Sequence, residues 1–121
     1  MATVELTEEN FERTINDNDI VIIDFWAPWC GPCKSFGPIF EKASEKFPDI
    51  VFGKVNTEAE EALAGQFQIR SIPTTFILRD NIIVFQQPGA LPEEAIADLL
   101  GQVQALDMDM VRKEAQAAQG E

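Results

Sequence analysis

Apolar positions change their spacing along this chain in a way that separates strands from helices. Residues Thr3 to Leu6 read as a short strand. Thr7 then stands where a helix N-cap belongs, with Leu6 and Phe11 placed as a hydrophobic staple, and a first helix is expected to about Asn16. The Asp17-Asn18-Asp19 cluster ends it. Ile20-Val21-Ile22-Ile23-Asp24-Phe25-Trp26 follows, mostly β-branched and without polar alternation, as expected of a strand covered on both faces. From Cys30 the period becomes helical: Phe36, Ile39, Phe40, Ala43 and Phe47 share a stripe, and Pro38 inside it predicts a kink.

Ile50 to Val55 is a further strand, and Thr57 with Glu60 has the spacing of a capping box for a third helix carrying Leu63 and Phe67. Thr74 to Leu78 and Ile82 to Phe85 are expected to form a hairpin across Arg79-Asp80-Asn81. A last helix opens at Pro92 and aligns Ile96, Leu99, Leu100, Val103 and Leu106. The order β-α-β-α-β-α-β-β-α predicts an α/β domain: a mixed central β-sheet flanked by helices on both faces. Residues 1–106 are expected to form this domain. Residues 107–121 form a polar C-terminal extension, expected as a frayed helix or a disordered segment.

Composition narrows the chemistry. A 121-residue chain with 45% hydrophobic residues suits one packed core. Its net charge of -12 opposes phosphate backbones and anionic headgroups, so neither nucleic acid nor membrane is expected as a partner. No apolar run approaches the roughly 18 residues of a membrane-spanning helix. The N-terminal residues Met1 to Glu5 lack the basic start and apolar stretch of a secretory signal, and the expected location is the cytoplasm.

The chain has two cysteines and no histidine. That excludes a Cys-His nucleophile and leaves too few soft ligands for structural zinc, so no metal is expected. What remains is a C-x-x-C redox pair.

In Trp29-Cys30-Gly31-Pro32-Cys33-Lys34 that pair falls between the buried strand and the helix. A helix N-terminus presents unpaired N–H groups and partial positive charge to Cys30, which favours its thiolate. Cys33 lies one turn on, where it can attack a mixed disulfide formed by Cys30. Only Cys30 is expected to be exposed. Pro32 stiffens the ring at no hydrogen-bond cost. So short a loop constrains the unfolded chain weakly, which favours a redox role over a stabilising one.

Asp24 is anomalous in an apolar strand. Burial should raise its pKa, and it could exchange a proton with Cys33; the alternative is a structural aspartate bonded to backbone. Ile72-Pro73-Thr74 places a proline just before a strand, where it could simply start that strand. Spacing does not reveal its peptide isomer.

Together these residues resemble the thioredoxin family, over about residues 2 to 106. Asp24 to Lys34 nearly reproduces the family signature, with only Pro28 at a variable place. Pro38 matches the family's proline in the active-site helix, Ile72-Pro73-Thr74 its cis-proline segment, Lys54 its lysine near the buried aspartate, and Gly89-Ala90 its small loop beside the site. The resemblance implies the thioredoxin fold and a protein-disulfide reductase. In it Cys30 attacks, Cys33 resolves, Gly31 and Pro32 form the reducing central dipeptide, and Asp24, with Lys54 nearby, transfers protons. Pro73 helps dock the client strand, and Trp29, Ile72, Gly89 and Ala90 rim an apolar docking surface.

It further implies a monomer without a bound cofactor, acting on disulfide-containing client proteins and recharged by a thioredoxin reductase. Thr57 and Pro88 depart from the larger apolar residues many relatives carry, and the chain runs past the usual domain end. The alternatives are a thioredoxin-fold binding module whose redox chemistry is incidental, and an extracytoplasmic oxidant or isomerase.

Overall fold

The computed structural model describes residues 2–119. Its elements run β1 (Thr3–Glu5), α1 (Phe11–Asp17), β2 (Ile20–Trp26), α2 (Gly31–Ser44), β3 (Val51–Asn56), α3 (Glu61–Gln66), β4 (Thr74–Arg79), β5 (Ile82–Pro88), α4 (Glu93–Gln104) and α5 (Met108–Gln119). The strands form one sheet in the order β1-β3-β2-β4-β5. β3 pairs in parallel with β1 and β2, whereas β4 pairs antiparallel with β2 and β5. The sheet is therefore mixed, and β2 sits at its centre.

That position explains the unbroken apolar run of β2. Ile20 and Ile22 pack under Phe36 and Phe40 of α2 and Ile96 and Leu100 of α4. Val21, Ile23 and Phe25 point the other way, against Ile15 of α1 and Leu63 of α3. Helices thus cover both faces, and each face contributes its own apolar cluster. The strand that carries Asp24 is held from every side.

Several local expectations need correction. Thr7 does not cap the first helix: residues 7–10 form a turn in which the Asn10 side chain accepts from the Thr7 N–H at 2.8 Å and donates to the Glu5 carbonyl at 2.9 Å, and α1 begins only at Phe11. The capping box at Thr57 and Glu60 does not form either. The Thr57 hydroxyl donates to the Trp26 carbonyl at 3.0 Å, and the Glu60 carboxylate accepts from the Glu8 N–H at 2.8 Å. Both side chains are drawn to neighbouring segments that the local spacing does not reveal.

Phe47 joins the expected α2 stripe from beyond the helix end, whereas Leu106, past the end of α4, is 36% exposed and does not join the buried cluster of that stripe. The β4–β5 hairpin turns on Asp80 and Asn81 alone, at φ 54° and 66°, the left-handed pair that a two-residue turn requires.

After α4 the chain forms α5. Met108 is buried, and Arg112 pairs with Asp80 in the hairpin turn at 3.0 Å and with Asp109 at 2.8 Å. Arg79 holds the end of α4 by donating to the carbonyls of Val103, Gln104 and Leu106 at 2.7, 3.2 and 3.2 Å. The expected extension is thus helical over Met108–Gln119, and its residues 120 and 121 lie outside the described residues.

Candidate active site

β2 delivers its C-terminal end directly into α2. A turn returns the Cys30 N–H to the Ala27 carbonyl at 3.2 Å, and Cys30 takes the N-cap position with extended backbone. Its sulfur accepts from the Cys33 N–H at 3.2 Å, so a thiolate at this point receives a free helix-terminal donor. Cys30 and Cys33 are joined as a disulfide, with Cα atoms 5.2 Å apart. Gly31 and Pro32 form the first helical positions, where proline sacrifices no hydrogen bond.

The expectation that only Cys30 is exposed is not met: Cys30 is 4% and Cys33 5% exposed. Both sulfurs are tucked among Ala27, Trp26 and Ile72. What distinguishes the two residues is their environment. The Cys30 sulfur lies 3.7 Å from the Ile72 carbonyl oxygen.

The Ile72-Pro73 peptide is cis. The Pro73 carbonyl accepts from the Gly89 N–H at 2.8 Å, and Gly89 has φ +96°, a conformation open to glycine and unfavourable for other residues. Gly89 is therefore tied to the loop beside the disulfide, and the exposed Ala90 follows it in the chain. Trp29 stands 65% exposed at the same end, and its indole N–H donates to Glu58 at 2.6 Å. Sequence reasoning does not single out Glu58. It meets Trp29 because Trp26 and Asn56 end adjacent parallel strands, and only the register of those strands would reveal it.

Asp24 is fully buried, and neither carboxylate oxygen has a hydrogen-bond partner among the described residues. The backbone bonding that a purely structural aspartate would show is not formed. Burial pushes its pKa up to about 7, and the nearby Lys54 cation opposes that rise in part. Lys54 is its register partner on β3 and rests with its ammonium 4.9 Å from the centre of the Trp26 ring. Lys54 also lines a cavity of about 400 Å³ together with Cys33, Glu41, Gly37 and Pro38. Asp24, Lys54 and the cysteines thus gather towards one end of the central strands.

A dithiol–disulfide pair capping a helix on a mixed sheet defines a protein-disulfide oxidoreductase by class. The sequence model of the thioredoxin family, described as "Thioredoxin", matches residues 2–102. "Putative thioredoxin 2" of Streptomyces coelicolor is 62% identical over 112 residues, spanning 93% of this chain and 84% of that protein. "Thioredoxin" of Chlorobaculum thiosulfatiphilum is 42% identical over 95 residues, 77% of this chain and 88% of that one. Among solved structures, a mutant thioredoxin from Halobacterium salinarum superposes with a TM-score of 0.78 at 30% identity, covering 86% of this chain and 91% of that chain. The chain belongs to the thioredoxin family, has the thioredoxin fold and is a protein-disulfide oxidoreductase.

Proposed function

We propose that this protein reduces disulfide bonds in client proteins. The Cys30 thiolate attacks a client disulfide, forming a mixed disulfide and releasing one client thiolate. Cys33 then gives its proton to Asp24, and its thiolate attacks the Cys30 sulfur. The second client thiolate leaves, and the Cys30–Cys33 disulfide remains. The client gains two electrons and the dithiol loses two.

The observation that carries this reading is the setting of Cys30: at the N-cap of α2, bonded to Cys33 and 3.7 Å from the Ile72 carbonyl. An extended client segment passing Ile72 and Pro73 would bring its disulfide to that sulfur, with Trp29, Gly89 and Ala90 around it. Lys54 would moderate the proton affinity of Asp24.

In this reading the protein works as a monomer in the cytoplasm, where a thioredoxin reductase returns the electrons. Residues 1–106 carry the activity, and the helix Met108–Gln119 is an addition to it. Reduction of insulin with dithiothreitol as electron source tests the reading. Wild type should accelerate insulin precipitation, and Cys30→Ser should not. Equal rates with and without the wild-type protein would reject it.

A further inference from the structure

Asp24 belongs to a row of polar residues that crosses the sheet. Residues paired directly across neighbouring strands point to the same face. Glu5 pairs with Lys54, Lys54 with Asp24, Asp24 with Thr75, and Thr75 with Gln87. The row lies on the side that α2 and α4 cover, because Ile22, Phe52 and Ile77, two positions away on β2, β3 and β4, all join that cluster.

At the middle of the row Asp24 and Thr75 are both fully buried. Both Asp24 oxygens and the Thr75 hydroxyl are without hydrogen-bond partners among the described residues. Such orphans are rare, and three on two adjacent side chains call for a reason. The neighbouring Thr74 has no such problem, since its hydroxyl donates to the Ser71 carbonyl at 2.6 Å. A hydroxyl rotates to suit its partner: it can donate to a carboxylate or accept from a carboxylic acid. The bond to the charged form is the stronger one.

We propose that Thr75 is a positioning residue for the thiol–disulfide reaction: when Asp24 ionises, a turn of the Thr75 side chain lets its hydroxyl donate to the carboxylate it faces across the strands, and so sets the pH at which Asp24 takes the proton of Cys33. This deepens the proton-transfer role proposed above for Asp24 and rests on it.

The other charges around Asp24 are few. β3 contributes Lys54, with Glu5 of β1 beyond it, and α2 brings Lys34 and Glu41 to the cavity shared by Lys54 and Cys33. β4 and β5 supply only the uncharged Thr75 and Gln87 in this row, and α4 packs on the same face through Ile96 and Leu100. With no charge in the row on the β4 side, the Thr75 hydroxyl is the donor available to Asp24 there.

The test follows the Asp24 carboxyl itself, by its infrared band or carbon-13 shift as pH is varied. Thr75→Val keeps the side-chain shape and removes the hydroxyl; Thr75→Ser restores it. The Asp24 midpoint should rise by about one pH unit in Thr75→Val and return towards wild type in Thr75→Ser. Mixed-disulfide resolution at pH 7 should slow by up to about tenfold in Thr75→Val and recover as pH increases. Thr75→Ala gives the same reading if valine is not accommodated.

An unmoved Asp24 midpoint, or a serine variant displaced as far as the valine one, overturns the role of Thr75. A midpoint that moves as expected while Asp24→Asn resolves mixed disulfides at the wild-type rate instead overturns the proton-transfer role of Asp24.

Discussion

Lys54 stands directly opposite Asp24 in the parallel β2–β3 pair, yet its ammonium lies over the Trp26 ring rather than bonded to the carboxylate. The cation therefore acts on Asp24 through its field, opposing the rise that burial causes, and the pKa stands at about 7 with both effects in place. Lys54→Met should move the Asp24 titration further upward, by about one pH unit for the loss of a nearby opposite charge. At pH 7 more of the carboxyl would then stay protonated and unable to accept the Cys33 proton. Carboxyl infrared titration checks the shift, and an unchanged or lowered midpoint would contradict this account of the site.

The trapping behaviour of the two cysteines follows from their separate surroundings. Cys33→Ser should leave Cys30 able to attack but unable to be released, so client proteins accumulate as mixed disulfides visible by non-reducing electrophoresis. Cys30→Ser should trap none, since it lacks the sulfur beside the Ile72 carbonyl. Equal trapping by both variants would reverse the proposed order of attack.

Much of this site is legible in residue order because its parts are close in sequence or distinctive in type. The run from Ile20 to Trp26 reads as a doubly covered strand, and Asp24 is visible as the one acid within it. Cys30 to Cys33 needs only the strand before it and the helix after it to define a dithiol on a helix start. The missing parts are set by register and packing. Asn10 displaces Thr7 at the first helix, and Thr57 turns to the Trp26 carbonyl instead of capping α3. Glu58 meets Trp29, and Thr75 stands opposite Asp24, only because particular strands align. Local spacing records a side chain's options, and the fold chooses among them.

Gly53 offers a test of that packing away from the cysteines. A Cβ built there would collide with the Leu6 side chain, which is fully buried and confined by the cluster around Phe25 and Val55. Gly53→Ala should cost about 1 to 3 kcal/mol through overpacking. Urea unfolding measures it, and a variant as stable as wild type would show that Leu6 has room to move.

Truncation after Leu106 tests the proposed domain limit. It removes α5, and with it the burial of Met108 and the contact of Arg112 with Asp80. The loss should be about 1 to 3 kcal/mol, mainly from the methionine, with insulin reduction retained because no residue proposed for the chemistry lies beyond Leu106. A truncated chain that does not fold, or folds without activity, would place α5 within the essential domain.

Asp24→Asn separates the needs of stability from those of chemistry. The folded-state pKa of Asp24 is raised from the ordinary value of 3.8 to about 7. Below the unfolded value the carboxyl is protonated in both states and contributes no pH dependence. Between the two values the unfolded chain gives up its proton first, so folding becomes less favourable as pH rises. Above the folded value the carboxylate is ionised in both states, and the penalty levels off.

A shift of that size corresponds to a penalty on the order of 4 kcal/mol above neutrality. Asparagine carries no charge, so the variant should avoid most of that penalty while retaining an unpaired buried amide. The oxidised variant should gain roughly 2 to 4 kcal/mol over wild type at pH 8 and show little difference near pH 3. It should also resolve mixed disulfides more slowly, because asparagine cannot accept the Cys33 proton. Unfolding curves at both pH values, with single-turnover resolution rates, separate these effects. A variant that is no more stable at pH 8 and fully active would return Asp24 to an ordinary structural role.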